Sequence, residues 1–268
     1  NNIVLGDDGQ IDYVRVERGA TTGDQGADTD AADIDLIESL STTSAGGVDN
    51  ITANGGNDII LGGRHGDTIN AGDGSNLVIG DSGRVAAANT GVAQFADVPM
   101  TFGLIETIEC GDGGDDGITA GAGSDIVMGG QGADTVDAGA GDDVVVGDNG
   151  FVDFIVRDGD PAAFDVIQST DPTLGGSDTI NAGDGEDIVF GGTGGDMVHG
   201  GGGSDLVLGD HGRFDISLPA KQRFVSIFTG PGDGAGDDTL YGDAGDDFIR
   251  SEEHTSELQS HLNLVCRL

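Results

Sequence analysis

The residues able to do chemistry in this chain are aspartates, and they recur in phase. Asp49, Asp58, Asp67 and Asn76 stand nine residues apart, as do Asp116, Asp125, Asp134 and Asp143, and again Asp178, Asp187, Asp196 and Asp205. Asp238 and Asp247 open a further series. Glycines precede the acidic position in each unit, and a large aliphatic residue follows two places later, as in Ile51, Ile60, Ile69 and Val78 of the first series. Carboxylates that share no spacing with a His and a Ser or Cys nucleophile do not form a hydrolytic triad. An array of them held close together repels itself, and a bound cation is the partner that relieves the repulsion.

Composition points the same way. The chain has 268 residues, 52 of them Gly, no Trp, 4% aromatics and a formal net charge of -39. That charge excludes a nucleic-acid backbone as partner, since phosphate contacts need clustered Lys and Arg, and it disfavours anionic membrane surfaces. Such a balance fits either a disordered acidic chain or a fold neutralised by cations. The fixed nine-residue phase decides for the second. No apolar run is long enough for a transmembrane helix, and no basic-then-apolar signal segment opens the chain. Because Asn1 stands in mid-repeat, both native ends are expected to lie outside this sequence. Cys110 and Cys266 make no disulfide framework. His65, His199 and His211 share no spacing, so a zinc site lacks its ligand cluster. No catalytic residue is expected.

The repeats organise the chain. Residues 1–5 read as the end of one block, with further blocks at 44–79, 111–146 and 173–208 and a truncated one at 233–249. Inserts fill 6–43, 80–110, 147–172 and 209–232. Each insert opens on a shared phrase: Gly6-Asp7-Asp8-Gly9, Gly80-Asp81-Ser82-Gly83, Gly147-Asp148-Asn149-Gly150 and Gly209-Asp210-His211-Gly212. Strand-like runs follow, among them Ile11 to Val14, Ile34 to Ile37, Leu104 to Ile108, Phe151 to Val156, Phe164 to Ile167 and Phe224 to Phe228. Each insert therefore reads as a two-stranded excursion.

The units spell G-G-x-G-x-D-x-U-x, with U a large apolar residue, as in GGQGADTVD (Gly129 to Asp137) and GGGGSDLVL (Gly200 to Leu208). This resembles the calcium-binding nonapeptide of the RTX (repeats-in-toxin) haemolysin-type proteins. The resemblance covers most of the chain outside the inserts and the tail. It implies an all-β fold, a parallel β-roll or β-solenoid in tandem blocks separated by short hairpin-like inserts. Each x-U-x is then a strand with U pointing inward, and two units make one coil of eighteen residues. The resemblance also implies several Ca²⁺ ions, each caged by glycine-loop carbonyls and by the acidic residues of adjacent turns. The implied pairs are Asp49 with Asp67, Asp58 with Asn76, Asp116 with Asp134, Asp125 with Asp143, Asp178 with Asp196, and Asp187 with Asp205. Asp238 and Asp247 extend the set. Such an all-oxygen cage suits hard Ca²⁺. Asn76 keeps an oxygen ligand but loses a charge, so its site is expected to be weaker. His65, standing where the fourth glycine belongs, is expected to distort its turn. One unit buries about one aliphatic side chain, too little to offset the ordering of nine residues, so ion binding should supply much of the folding free energy.

Alternate units differ beside U. One set is polar, with Asn50 and Thr52, Thr68 and Asn70, Thr135 and Asp137, and Thr179 and Asn181. The other is apolar throughout, from Ile59-Ile60-Leu61 to Leu206-Val207-Leu208. Successive units lie on opposite sheets, so one sheet is wet outside and the other apolar on both faces. That second sheet needs a cover. Either the inserts fold back over it, or it takes a cell-surface or self-association partner.

After Ile249 the repeat stops, and Arg250 to Leu268 contains neither Gly nor Asp. Residues 250–261 resemble a conceptual translation of a sequencing-adapter oligonucleotide, so this tail is expected to be non-native. The calcium reading allows an extracellular structural or adhesive array, secreted by bacteria through a type I channel. It equally allows the repeat module of a secreted protease, lipase or haemolysin whose catalytic domain lies elsewhere. Ice binding needs an unbroken outward Thr/Asn row, and the row Asn50, Thr68, Gly117, Thr135, Thr179, Met197 is broken.

Overall fold

The computed structural model describes residues 1–13, 16–19, 23–27, 32–40, 46–89, 93, 95, 98–228, 232–251 and 257–258. The first residues of the 44–79 block, Val14, and most of the tail with His254, His261 and Cys266 lie outside the described residues. The described chain is almost entirely β, with one short 3₁₀ turn at Ala220–Gln222.

Three eight-stranded sheets are stacked in layers. The polar sheet is parallel through Asn50–Thr52, Thr68–Asn70, Gly117–Ala122, Thr135–Ala140, Thr179–Asp184, Met197–Gly202 and Thr239–Tyr241, with Glu257–Leu258 at its edge. The apolar sheet is parallel through Ile3–Leu5, Ile59–Leu61, Leu77–Ile79, Ile126–Met128, Val144–Val146, Ile188–Phe190, Leu206–Leu208 and Phe248–Arg250. The chain alternates between these two sheets at every unit, which makes the β-roll. Side chains alternate along a strand, so the middle residue of each triplet points between the sheets. Ile51, Ile69, Ile118, Val136, Ile180 and Val198 meet Ile60, Val78, Val127, Val145, Val189 and Val207 there, all buried.

The blocks are separate in sequence but continuous in space. Thr68–Asn70 pairs with Gly117–Thr119 and Leu77–Ile79 with Ile126–Met128, each across the second insert. Thr135 pairs with Thr179 and Val144 with Ile188 across the third. The inserts loop out from one long roll and return to the next rung.

The inserts form the third layer. Each supplies a hairpin: Gly9–Asp12 with Leu36–Ser39, Gly83–Ala87 with Phe102–Thr107, Gly150–Asp153 with Val166–Ser169, and Gly212–Asp215 with Phe224–Ser226. Neighbouring hairpins then pair with one another, so the cover is a single antiparallel meander in chain order. Its inward residues, including Ile37, Val85, Ile105, Val152 and Ile167, pack on the outward residues Ile59, Leu61, Leu77, Ile79, Met128, Val144, Val146, Phe190 and Leu208 of the apolar sheet. Apolar triplets on both faces thus have one physical cause: the sheet is the middle of three layers. The partner surface that the sequence left open on this sheet is closed by the chain itself. The polar sheet stays wet on its outer face, with Asn50, Thr52, Thr68, Asn70, Thr119, Thr135, Asp137, Thr179, Asn181 and Met197 exposed.

Candidate metal centre

The glycine loops between strands form the two long edges of the roll, and the acidic position closes each loop. On one edge the backbone N–H of each acidic residue donates to Oδ1 of the acidic residue one coil further on. The bonds run Asp49 to Asp67 at 2.7 Å, Asp67 to Asp116 at 2.6 Å, Asp116 to Asp134 at 2.8 Å, Asp134 to Asp178 at 2.8 Å, Asp178 to Asp196 at 2.8 Å, and Asp196 to Asp238 at 2.9 Å. On the other edge they run Asp58 to Asn76 at 3.0 Å, Asn76 to Asp125 at 2.6 Å, Asp125 to Asp143 at 2.7 Å, Asp143 to Asp187 at 2.8 Å, and Asp187 to Asp205 and Asp205 to Asp247 at 3.1 Å. All fourteen acidic positions read from the sequence fall on these two ladders. Pairs eighteen residues apart occur within blocks, and links of 42 to 49 residues join the blocks.

One carboxylate oxygen is thereby used, and the other is stranded. Oδ2 of Asp49, Asp58, Asp67, Asp116, Asp125, Asp134, Asp143, Asp178, Asp187, Asp196 and Asp205 is buried with no hydrogen-bond donor. Its neighbours are loop oxygens. A Cβ on Gly62 would stand 2.7 Å from Oδ2 of Asp67 and closer still to the Gly80 carbonyl oxygen. A Cβ on Gly200 would stand 2.6 Å from Oδ2 of Asp205 and 3.2 Å from the Gly242 carbonyl oxygen. Where a unit opens on glycine, as at Gly62 and Gly200, the missing side chain leaves a small oxygen-lined space, while Ala53, Ala71, Ala120, Ala138 and Ala182 hold that position in other units. Buried oxygens with no donor, gathered from carboxylate and carbonyl, are the donor set of a hard divalent cation. Among the described residues no three His, Cys, Asp or Glu side chains are placed to hold a metal by themselves. Backbone carbonyls therefore have to complete each cage.

The loops also need left-handed backbone. Gly139 has φ +106°, and a Cβ there would overlap the Gly121 carbonyl oxygen of the preceding coil. His65 takes φ +73° in the position where glycine was expected. Its turn nonetheless stays in register, since Asp67 keeps its ladder bond.

The sequence reading missed a second set of carboxylates. Asp7, Asp81 and Asp148, from the phrase that opens each insert, each accept N–H groups from two successive loops. Asp7 binds Gly47 N at 3.1 Å and Arg64 N at 2.7 Å. Asp81 binds Gly114 N at 3.2 Å and also Gln131 N. Asp148 binds Gly176 N at 2.9 Å and also Thr193 N. Asp210 accepts from Gly236 N at 3.3 Å. At Asp7, Asp81 and Asp148 the carboxylate staples two coils. The fourfold recurrence of the phrase was the available signal. Asp153 and Asp215 are buried too. Asp153 caps Ile155 N and Val156 N at 3.1 Å, and Asp215 pairs with Arg213 at 2.8 Å and with Arg157. Cys110 lies near Thr107, and burial pushes its thiol up to about 11, which leaves it a poor nucleophile.

Burial raises nine of the ladder carboxylates above the ordinary range. Asp67 and Asp187 are pushed up to about 6, Asp125, Asp134 and Asp205 to about 7, Asp116 and Asp143 to about 8, and Asp196 to about 9. For Asp178 burial, then the charges of Asp148, Asp134 and Asp196, carry it to about 11. The sign follows from linkage. Without metal the folded roll holds more protons than the unfolded chain. Its stability is therefore greatest below pH 3.8 and is lost as pH rises through about 6 to 9. Metal-free chain should gain β-sheet circular dichroism on going from pH 8 to pH 5. With calcium present the slope reverses, because protons compete for the same oxygens. Equal structure at both pH values in metal-free buffer would contradict this.

The fold and these edges define a class: a parallel β-roll whose rims carry ladders of buried carboxylates beside loop carbonyls. The chain is an RTX-type repeat protein. Four copies of the RTX calcium-binding nonapeptide repeat match, at residues 44–78, 119–151, 173–209 and 233–253. These repeats bind calcium ions. No curated protein and no solved structure matches the chain.

Proposed function

We propose that this chain is a calcium-stiffened section of an extracellular structural or adhesive array, exported by a bacterium and folded by external calcium. Asp49, Asp58, Asp67, Asp116, Asp125, Asp134, Asp143, Asp178, Asp187, Asp196, Asp205, Asp238 and Asp247 are the proposed side-chain ligands. The observation that carries the reading is the unbroken pair of ladders running through every block. A roll that continues across each insert, with its one greasy face covered internally, is built as a spacer. Low cytosolic calcium keeps such a chain unfolded for passage through a type I channel, and external calcium folds it. No helix among the described residues is long and apolar enough to cross a membrane.

The test has two arms. Small-angle scattering should show a stiff elongated particle in calcium and an expanded coil in chelator. Asp134→Ala, which removes one charged ligand, should raise the calcium midpoint about tenfold, the equivalent of ~1.4 kcal/mol. A chain of the same dimensions with and without calcium would overturn the proposal. An HExxH or GxSxG segment elsewhere in the same gene would instead make this chain the repeat module of a secreted enzyme.

A further inference from the structure

We infer that the turn at Asn76 takes no calcium, because its side-chain amide already stands where the cation would. The inference rests on the calcium reading of the other turns. Asn76 is buried, and its Oδ1 does what Oδ1 does elsewhere on the ladder, accepting the N–H of Asp58 at 3.0 Å. That bond fixes the other branch of the amide as Nδ2. Nδ2 donates to the Gly74 carbonyl at 2.8 Å, to the Gly72 carbonyl at 3.0 Å and to the Ala120 carbonyl of the next coil at 3.1 Å. Two N–H bonds shared among these oxygens are weak individually. Yet loop carbonyls gathered round one N–H donor group are the arrangement a cation otherwise holds together.

At the equivalent turns of this edge the same branch is Oδ2 of Asp125, Asp143, Asp187 and Asp205, an oxygen that no donor reaches. Those turns lack what Asn76 carries within itself. Rotating the amide to offer its oxygen to an ion would set Nδ2 against the Asp58 N–H, donor against donor. Such a mismatch leaves a buried donor unsatisfied. A second asparagine, exposed at the start of the sequence, shares only the contact to the following coil. Asn2 Nδ2 donates to the Ala53 carbonyl at 3.3 Å and to Asp58 Oδ1 at 2.8 Å, and Ala53 is the counterpart of Ala120 in the coil that follows. Both asparagines occupy the last unit before an insert, in Asn2-Ile3-Val4-Leu5-Gly6-Asp7 and Asn76-Leu77-Val78-Ile79-Gly80-Asp81. At Asn76 the amide therefore gives the roll a rung that closes without metal, whereas Asp143 and Asp205 hold the same position before the next two inserts.

The deciding experiment is anomalous diffraction from crystals of the full chain grown in calcium, with native mass spectrometry of Asn76→Asp beside it. The expected result is ions at Asp125, Asp143, Asp187 and Asp205 and none bonded to Asn76 or to the Gly72 and Gly74 carbonyls. Asn76→Asp should bind one ion more than the parent chain. An ion at Asn76 alongside ions at its neighbours would overturn this inference alone. Equal ion counts in the folded parent and variant would do the same. Ions absent from every turn would overturn the calcium reading and this inference together. The parent crystal decides the matter even if the variant does not fold.

Discussion

Stripped of calcium at pH 8, the chain should lose most of its parallel β-sheet signal and regain it on adding calcium back. The reason lies in the stranded carboxylate oxygens. At pH 8 the folded, metal-free roll must either ionise buried carboxylates that face one another or hold protons that the solvent is drawing off. Asp116 and Asp143, raised to about 8, and Asp196, raised to about 9, stand at that boundary. Unfolding releases all of them to water at their ordinary values. A site held at a hundred times its dissociation constant stabilises the fold by about 2.7 kcal/mol. Several such sites together exceed the ~5–15 kcal/mol that holds a typical domain folded. Thermal melts in millimolar calcium and in chelator should therefore differ by roughly 20 °C or more, at about 2–4 °C per kcal/mol for a chain of this size. A melt that ignores calcium would show that the apolar layers alone sustain the fold.

The second large effect concerns those layers. Ile105→Asp should detach the cover sheet while leaving the roll able to bind calcium. Ile105 is fully buried and sits between Val85 and Val152 in the cover sheet, facing the apolar sheet. A carboxylate there has no partner, and a substitution of this kind costs upward of ~4 kcal/mol. Once the cover lifts, Leu77, Ile79, Met128 and Val146 present a continuous apolar face. The variant should bind a hydrophobic dye and self-associate, with a melting temperature lowered by about 10 °C. Its calcium count should be unchanged, because the interior between the two roll sheets, from Ile60 to Val207, is a separate cluster. Glu106→Gln is the control. Glu106 faces away from the core and pairs with Arg84 at the surface, so its loss should stay within about 0.5 kcal/mol. A monomeric, dye-negative Ile105→Asp chain would refute the layered arrangement.

How much of this was legible without coordinates follows from the range of each interaction. Residues 44–79 fix their own strands, loops and inward side chains because each unit's geometry depends on its own nine positions and on an identical neighbour. A fixed phase of Gly, Asp and aliphatic residues therefore specified the roll, its wet and greasy faces and the acidic residues on its rims. The tertiary structure alone decided what happens at distances the period does not reach. The bonds from Asp67 to Asp116 and from Asn76 to Asp125 span 49 residues that include the non-repeating insert 80–110, so no local rule announces that the roll continues there. The hairpins were readable singly, but their union into one sheet depends on the spacing that the roll imposes beneath them. The staples at Asp7, Asp81 and Asp148 depend on which N–H groups two neighbouring coils present. The role of Asn76 depends on which end of a symmetric-looking amide meets a donor. A sequence states composition and period, whereas only packed coils decide which atom of a side chain faces which neighbour.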